Sequence, residues 1–381
     1  MNPSADRPAP MAPLLRIAPM VRGRLAEPTD HEDFPLAPVL LACRADAAAA
    51  AGDYDALDLA ALDLSADDDD ALAARLAEAI DAFAARNGTR PRRLVLPGVG
   101  SLVVEAAAEP ADDPPLRNRV AVVTGAAGAI GYAVCRKLLD SGCHVAATDL
   151  AGEKLDRLAA DLRREAPDRV VSAAMDVTDG ASIAAALDAV TAAWGGFDIL
   201  VHNAGIAHVS TLAEMDLDAF RRLERVNVDG TLLVLAEAGR RLARQNTGGD
   251  IVIMSTKNVP SPSAGFGAYS ATKAACHQLG RIASLELAPK GIRVNMVAPD
   301  AVFAEGDYRS GLWDEVGANR MKARGLDEKG LHEYYRSRNL LKARVTGRHV
   351  ANAVHFFVSR QTPTTGATIP VDGGLPDATP R

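Results

Sequence analysis

Aromatic residues, cysteines and long apolar runs are all scarce in this chain. Of its 381 residues, 4% are aromatic and four are cysteines. Cys43, Cys135, Cys143 and Cys276 form no CxxC pair and no spacing typical of a metal site. We therefore expect no disulfide framework, no metal ion and a reduced, cytoplasmic protein. No apolar run reaches the ~18 residues that cross a bilayer, so we expect no membrane span.

Excess positive charge is also missing. The formal net charge is −7 at pH 7, which argues against nucleic acid as a partner, because such proteins present a basic surface. The composition is 48% hydrophobic and 24% charged. This balance supports a large packed core and excludes global disorder.

Two regions of different amino-acid composition meet in EPADDPPLRN, at 109–118, where prolines and acids indicate a linker. We interpret 1–35 as a flexible, proline-rich arm without a signal peptide. Residues 36–115 are predicted to form a small α/β appendage, in which an apolar run at 38–44 predicts a strand. Residues 116–381 are predicted to form the main domain.

The appendage is predicted to contain one helix and one strand–turn–strand unit. Apolar residues recur at helical spacing between an acidic run at 67–70 and an Asn-Gly pair at 87–88. The acidic run is either a solvated helix start, which we favour, or a metal cluster. Two apolar runs around Pro97 and Gly98 predict the strand–turn–strand unit. The apolar helix face consists of Leu72, Leu76, Ile80 and Phe83.

From Arg119 onwards, short apolar runs alternate with amphipathic stretches. RVAVVTG and DILVHNAG are typical of buried strands, and GAIGYAVCRKLLDSG places Ile130, Val134 and Leu138 on one helix face. This alternation predicts an α/β fold: a doubly wound parallel sheet with helices on both faces.

A glycine-rich loop, VTGAAGAIG at 123–131, ends the first strand and opens the first helix. Its glycines allow a pyrophosphate to approach the helix N-terminus. Asp149 ends the next strand; a carboxylate there binds ribose hydroxyls and repels the 2′-phosphate of NADP, so we favour NAD, with helix capping as the alternative role. Asp176 ends the third strand and either binds the adenine amino group or caps the helix that begins near Asp179.

A tyrosine and a lysine four residues apart are candidates for acid–base chemistry. Tyr269 and Lys273, in FGAYSATKAA, share a helix face. The ammonium and a nicotinamide cation favour phenolate, and lowering the phenol pKa from ~10 to ~7 takes about 4 kcal/mol. The preceding strand supplies a hydroxyl from Thr256 or Ser255, of which spacing favours Thr256. Asn227 is a candidate to hold a water chain.

Together these residues resemble the short-chain dehydrogenase/reductase family over about 117–375. The resemblance rests on TGAAGAIG, Asp149, the Asp-Val pair at 176–177, HNAG at 202–205, Asn227, the hydroxyl–YSATK arrangement, VAPD at 297–300 and TGATIPVDGG. It implies a Rossmann-type fold, an oxidoreductase of CH–OH groups and a homodimer or homotetramer. The predicted cofactor-binding residues are Gly125, Gly128, Ala129, Ile130, Gly131, Asp149, Leu150, Asp176, Val177, Asn203, Ala204, Gly205, Tyr269, Lys273, Pro299, Ala301 and Val302.

The resemblance also implies a role for each catalytic residue. Tyr269 is the acid or base, and Lys273 lowers its pKa and holds the nicotinamide ribose. Thr256, with Ser255 as the alternative, orients the reacting oxygen. Asn227 positions a water between Lys273 and solvent.

A narrower resemblance is to the dehydrogenase half of bifunctional rhamnulose-1-phosphate aldolase/alcohol dehydrogenases. It rests on STKN, PDAVF, LHEYYRSRNLLK and VDGGLP, and PRRLVLPGVGSLVVEA resembles the segment that closes their aldolase domain. It implies a small hydroxy-aldehyde, such as lactaldehyde, or a sugar-derived alcohol as substrate. The N-terminal region has one histidine, His31, where the aldolase needs a cluster, so we interpret it as a shortened remnant without aldolase activity.

The chain departs from the family pattern at three places. Its loop reads GxxGxxG, the spacing of extended sugar-nucleotide epimerases, but too little chain follows Tyr269 for their substrate domain. His202 replaces the first Asn of the NNAG pattern, a structural position. Thr256 stands at the usual serine position. These departures leave a non-catalytic NAD-binding sensor or scaffold as the alternative function.

Substrate choice is assigned to 301–340, which is predicted to form a lid carrying Trp313. Its basic residues have two interpretations: they bind an anionic substrate, or they belong to a solvated helix face, which we favour. His208 is interpreted as a polar loop residue and His277 as a packing residue. The basic residues are Arg309, Arg320 and Arg324.

Overall fold

The computed structural model describes residues 11–45, 55–62, 64, 68–105 and 116–378. A π-helical segment, Glu224–Asp229, joins α6 to α7. The helices are α1 Ala12–Leu25, α2 Asp69–Asn87, α3 Ala129–Asp140, α4 Glu153–Glu165, α5 Gly180–Trp194, α6 Leu217–Leu223, α7 Gly230–Gln245, α8 Gly267–Leu287, α9 Gly311–Arg324, α10 Glu328–Ser337 and α11 Gly347–Val358. The strands are β1 Glu27–Pro28, β2 Leu36–Ala37, β3 Leu40–Arg44, β4 Ala56–Asp58, β5 Arg93–Leu96, β6 Gly100–Glu105, β7 Val120–Thr124, β8 His144–Asp149, β9 Val170–Ala174, β10 Ile199–His202, β11 Gly249–Met254, β12 Ile292–Pro299, β13 Ala304–Glu305, β14 Tyr308–Arg309 and β15 Thr368–Val371.

The chain divides into two compact units. The first comprises Met1–Asp113, Leu187–Asp198 and Arg240–Gly248, and the second comprises Pro114–Ala186, Ile199–Gly239 and Gly249–Arg381. In the part of the chain that the structure describes, no helix is long and apolar enough to cross a membrane.

The first unit contains a four-stranded sheet in the order β3-β6-β5-β4. The pairings are antiparallel except that of β4 with β5. Helix α2 buries Leu72, Leu76, Ile80 and Phe83, as the sequence predicts. Asp68 caps its N-terminus by accepting from two backbone N–H groups, so this residue of the acidic run is a helix start. Asp67 lies outside the described residues.

The prediction of a flexible arm is wrong for Ala12–Leu25, which form helix α1. Leu14, Ile17 and Val21 recur at helical spacing and are buried in the same core as α2. Pro13 is compatible with this helix, because a proline in the first turn removes only an N–H that has no helical partner. Pro19 lies inside the helix, where it removes one backbone hydrogen bond. Residues 1–10 of the predicted arm lie outside the described residues.

A buried ion pair joins two distant parts of the first unit. Arg22, 1% exposed, donates to both carboxylate oxygens of Asp198 at 2.9 and 2.8 Å. Its Nε donates to the Val39 carbonyl at 2.9 Å. Gln245 also donates to Asp198, at 3.3 Å. Every charge of this pair is therefore compensated, which a buried pair requires to be tolerated.

The second unit contains the predicted doubly wound sheet. Seven strands pair in parallel in the order β15-β12-β11-β10-β7-β8-β9. Strands β7, β10 and β11 are buried along their whole length, which explains why they read as continuous apolar runs. The strand order reverses between β7 and β10. Ligands of such sheets bind at the carboxyl ends of the strands beside that reversal.

Candidate functional site

The glycine-rich loop follows β7 and is shaped by two close backbone approaches. Gly125 has φ +60°, and a Cβ there would lie 2.8 Å from the Ala204 Cα. A Cβ on Gly131 would lie 2.3 Å from the Gly125 carbonyl oxygen. Gly128 caps α3, and a Cβ there would meet nothing closer than 3.8 Å. The loop therefore packs closely against backbone at Gly125 and Gly131 but leaves open space at Gly128, as a pyrophosphate at the N-terminus of α3 requires.

The end of β10 supports this loop through polar contacts. Thr124 Oγ1 accepts from the backbone N–H groups of Asn203 and Ala204 at 3.0 and 3.1 Å. The Asn203 amide donates to the Gly125 carbonyl at 2.8 Å. His202 lies between the hydroxyls of Thr124 and Thr231, each 3.1 Å from a ring nitrogen. Burial lowers the pKa of His202 to about 3, so the ring is neutral and has the structural position that the sequence predicts.

Asp149 and Asp176 both line the cavity above the loop. The Asp149 carboxylate accepts from the backbone N–H groups of Ala127 at 2.9 Å and Leu150 at 2.8 Å. It does not cap a helix, since α4 begins after Gly152. Asp176 accepts from the N–H and hydroxyl of Thr178, both within 2.9 Å, and Asp179 makes the cap contacts at the start of α5. The capping alternatives for Asp149 and Asp176 are therefore excluded.

A single cavity of about 980 Å³ connects these residues with the tyrosine and the lysine. Its lining includes every predicted cofactor-binding residue other than Gly131, which packs beneath the loop. The open phosphate-binding loop, the carboxylate at the end of β8, and Val177 beside Asp176 all line this cavity. The residues present therefore fit a nicotinamide dinucleotide.

Tyr269 and Lys273 lie on one face of α8, both within the cavity wall and both more than nine-tenths buried. Burial raises the pKa of Tyr269 to about 12, and a side-chain hydrogen bond with Thr256 opposes this rise. Lys273 Nζ donates to the Met254 carbonyl, and burial lowers the pKa of this ammonium. In the chain without cofactor, burial dominates the pKa of the phenol, and the lowering of that pKa by Lys273 stays a prediction for the cofactor-bound protein. The other cation in that expectation is the nicotinamide ring.

The structure separates the two candidate hydroxyls. The Thr256 side chain lowers the pKa of the Tyr269 phenol, and both residues line the cavity. Ser255 Oγ lies 3.0 Å from His277 Nδ1, so the packing role predicted for His277 becomes a specific contact. Ser255 therefore has a competing partner, and Thr256 is the hydroxyl beside the phenol.

Asn227 lies in the π-helical segment and is 1% exposed. Its amide donates to the Ile206 carbonyl at 2.9 Å and to Thr272 Oγ1 at 3.0 Å, and its Oδ1 accepts from the Ile206 N–H at 3.0 Å. Its backbone carbonyl accepts from Thr231 and Cys276. The side chain that we predicted to hold a water chain thus fixes the backbone after HNAG.

The predicted lid is a β-hairpin followed by two helices, β13 to α10. Trp313 lines the cavity, and its ring packs on Phe303 at 4.5 Å and on Tyr335 at 5.0 Å. Phe303 also packs on His332, with ring centroids 4.0 Å apart. These aromatic contacts join the segment after β12 to α9 and α10, so the cavity has a wall contributed by 303–335.

The three lid arginines do not share one environment. Arg309 and Arg324 are exposed; Arg309 pairs with Asp314 and Glu328, and Arg324 stacks over a tyrosine ring. For Arg320, the favoured prediction of a solvated helix face is wrong. This residue is 5% exposed, and its guanidinium lies 4.9 Å from the centre of the Phe266 ring. Helix periodicity places Arg320 on α9, but the ring that covers it lies 54 positions earlier in the sequence.

Several cavity residues were not singled out as site residues by the sequence. They include charged groups beside Thr256 and at the end of α10. The STKN segment contains the first of them, but its residues served there only as a family signature. These residues are Lys257, Asn258, Ser263, Asp300, Tyr335 and Arg338. Among the residues that the structure describes, no group of three or more His, Cys, Asp or Glu is arranged to hold a metal ion. His208 is half-buried.

Comparison with known proteins gives a consistent set of relatives. Residues 119–310 match the short chain dehydrogenase family. An uncharacterized oxidoreductase of Bacillus subtilis, YuxG, is 36% identical over 266 residues, which are 69% of this chain and 38% of that longer protein. L-2,3-butanediol dehydrogenase of Corynebacterium glutamicum is 33% identical over 68% of this chain and 98% of its own length.

Solved structures also indicate the short-chain dehydrogenase family. Sorbitol-6-phosphate 2-dehydrogenase SrlD from Erwinia amylovora superposes with a TM-score of 0.62 at 28% identity, over 67% of this chain and 98% of that one. The chain therefore belongs to the short-chain dehydrogenase family and is an oxidoreductase of CH–OH groups that uses a nicotinamide cofactor.

Proposed function

We propose that the protein transfers hydride between NAD and a small polyol, hydroxy-aldehyde or corresponding carbonyl compound, with Tyr269 as the acid–base group. The observation that carries this proposal is that Thr256, Tyr269 and Lys273 line the same cavity as the glycine-rich loop. Relatives named for butanediol and for sorbitol 6-phosphate support polyols as the substrate class. The narrower resemblance to the aldolase-linked dehydrogenases adds hydroxy-aldehydes such as lactaldehyde.

The cofactor, when bound, supplies the hydride acceptor or donor. In oxidation, Tyr269 Oη takes the proton of the reacting hydroxyl, and in reduction it returns that proton to the carbonyl oxygen. Thr256 orients the reacting oxygen toward the phenol. Lys273 holds the nicotinamide ribose and supplies positive charge near the phenol, although burial of the phenol dominates in the chain alone. Asn227 positions the backbone after HNAG through its contacts with Ile206.

NAD is proposed over NADP because Asp149 lines the cavity at the end of β8. A carboxylate accepts hydrogen bonds from ribose hydroxyls but repels a 2′-phosphate. The Asp149 oxygens already accept from two backbone N–H groups, and each keeps a lone pair for a hydroxyl donor. We also propose a cytoplasmic homodimer or homotetramer. The N-terminal region is proposed to be a shortened remnant of an aldolase domain.

The experiment follows NADH formation by the purified full chain with NAD⁺ and a panel that includes L-lactaldehyde, 2,3-butanediol and sugar alcohols. We expect turnover with at least one compound and a loss of about 10²–10⁴-fold in kcat for Tyr269→Phe. NADH binding, measured by fluorescence, is expected to survive that substitution. Binding without Tyr269-dependent turnover of any compound would favour a sensor or scaffold.

A further inference from the structure

Lys257 is a buried cation in the wall of the cavity. It is 6% exposed and directly follows Thr256, which hydrogen-bonds Tyr269. Its Nζ donates to the Ser263 hydroxyl at 2.6 Å and to the Ser261 carbonyl at 3.2 Å. An ammonium has three donors, so these two contacts fix its direction and leave one N–H for a ligand.

Lys257 has no carboxylate partner among the residues that the structure describes. Asp300, a carboxylate in the same cavity wall, is 5% exposed at its side chain and forms an ion pair with Arg338. Buried cations in proteins are as a rule paired with an anion, because an uncompensated charge is strongly destabilising away from water. The partner of Lys257 is therefore to be sought among the ligands of the cavity.

A second buried cation adds to the excess of positive charge near Lys257. Arg320 lies over the Phe266 ring, and its Nε has no hydrogen-bond partner in the described part of the chain. Its other nitrogens donate to the Ala264 carbonyl and the Tyr335 hydroxyl, both at 3.4 Å. With Arg338, Asp300 and Asp377 included, three cations lie near two carboxylates. This part of the cavity therefore has a positive potential, which low-dielectric walls concentrate.

We infer that the substrate of the proposed reaction carries an anionic group, a carboxylate or a phosphate, and that Lys257 Nζ binds it. This inference rests on the proposed function and adds the charge of the substrate to it. The pyrophosphate of a dinucleotide has its own cradle at 125–131, whereas Lys257 lies beside the hydroxyl that faces the phenol. A carboxylate or phosphate supplies the missing countercharge, which a neutral hydroxyl does not.

The test measures binding without turnover. The full chain is saturated with NADH, with which an alcohol cannot react, and titrated calorimetrically with glycerol, D-glycerate and glycerol 3-phosphate. We expect one of the two anions to have a dissociation constant at least about tenfold lower than glycerol, and the two anionic arms distinguish carboxylate from phosphate. Equal constants for all three compounds would overturn the inference.

Variants connect the preference to the residue. Lys257→Met is expected to abolish the preference for the anion, and Lys257→Arg to retain most of it, because the charge is kept. Lys290→Met, which removes an exposed ammonium outside the cavity, is the matched control and is expected to keep the full preference. A preference that survives in folded Lys257→Met contradicts the inference. If that variant does not fold, the comparison of glycerol with the two anions in the wild type still decides.

Failure of the proposed function gives a different result. Turnover of neutral polyols without any preference for anions would uphold the proposed function and overturn the inference. Anion preference in the binding assay without turnover of any compound would uphold the anion site at Lys257 and overturn the proposed function. The binding assay and the turnover assay, made on one protein preparation, therefore distinguish the two proposals.

Discussion

The cofactor half of the cavity is held by backbone and amide hydrogen bonds between neighbouring strand ends, whereas the substrate half is held by charged and aromatic side chains from distant segments. Gly125, Thr124 and Asn203 fix the first half within one turn of each strand. Asp300 and Arg338, 38 positions apart, brace the second. The cofactor half consists of Gly125, 127–130, 149–154, 175–178 and 203–205, and the substrate half of 256–258, Ser263, Asp300, 309–313, Tyr335 and Arg338.

This difference separates two kinds of specificity. A backbone cradle accepts any pyrophosphate and tolerates few substitutions, because each side chain there is limited by contact with main-chain atoms. A set of side chains can be replaced one at a time without moving the backbone. The cofactor half therefore sets the reaction class, and the substrate half sets the compound that reacts.

The largest expected effect is at Thr256, where the two halves meet. Thr256→Ala removes the hydroxyl beside Tyr269 and should lower kcat by about 10²–10³-fold, as for loss of a donor to a reacting oxygen. Ser255→Ala is the matched comparison and should lower kcat far less, since Ser255 contacts His277. Steady-state NADH formation measures both. A larger loss for Ser255→Ala would exchange the assigned roles.

The next effect tests the rigidity of the cofactor half. The Cβ of Gly131→Ala would lie 2.3 Å from a backbone oxygen, so the loop must shift. We expect the free energy of unfolding to fall by about 1–3 kcal/mol, as for overpacking, and NADH affinity to fall more than about tenfold. Gly180→Ala, where a Cβ meets nothing within 4 Å, is the control. Chemical denaturation and NADH fluorescence report the two quantities. Unchanged affinity would show that the loop adapts.

A smaller effect concerns the choice of dinucleotide. Asp149→Asn removes the charge that repels a 2′-phosphate, and we expect the ratio of kcat/KM for NAD to that for NADP to fall about tenfold. Because Asp149 also accepts a hydrogen bond from Ala127, kcat/KM should drop for both dinucleotides. Their ratio isolates the effect of the carboxylate charge. Asp156→Asn, on the exposed side of α4, is the control. A constant ratio would remove Asp149 as the discriminating group.

The smallest effect is the pH dependence of the substrate half. Burial and the nearby Arg338 lower the pKa of Lys257 to about 8, with Arg320 acting in the same direction and Asp300 and Asp377 opposing it. Lys257 is thus charged below this pH and loses its charge above it. The preference in kcat/KM for an anionic over a neutral substrate should fall up to about tenfold from pH 7 to pH 9.

The same measurement on Lys257→Arg provides the control. Arginine stays protonated throughout this range, so its preference should not change with pH. A pH-independent preference in the wild-type protein would show that Lys257 is not the group that carries it.

The sheet and the cofactor half follow from the sequence because their signals are local. Each strand is a continuous apolar run, and the glycines of 125–131 and Asp149 come directly after the strands that position them. Helix α1 is the exception: its prolines predict an arm, whereas the helical spacing of Leu14, Ile17 and Val21 agrees with the structure.

The substrate half was not predictable in the same way. No local pattern shows that Asp300 pairs with Arg338, or that Arg320 lies over Phe266. Without those pairings, Lys257 is one lysine in a loop and its lack of a carboxylate partner is invisible. The raised pKa of Tyr269 in the chain without cofactor was not predictable for a related reason, since the sequence gives the neighbouring charges but not the burial of the phenol.

Arg22 leaves the ribosome 176 residues before Asp198, the carboxylate that neutralises it in the folded protein. At typical synthesis rates of about 5–20 residues per second, the two are separated by roughly 9–35 seconds. Burial of a guanidinium without its anion is strongly destabilising, so the burial of Arg22 is disfavoured during that interval. We therefore expect α1 to reach its final packing only after the segment that carries Asp198 has been synthesised.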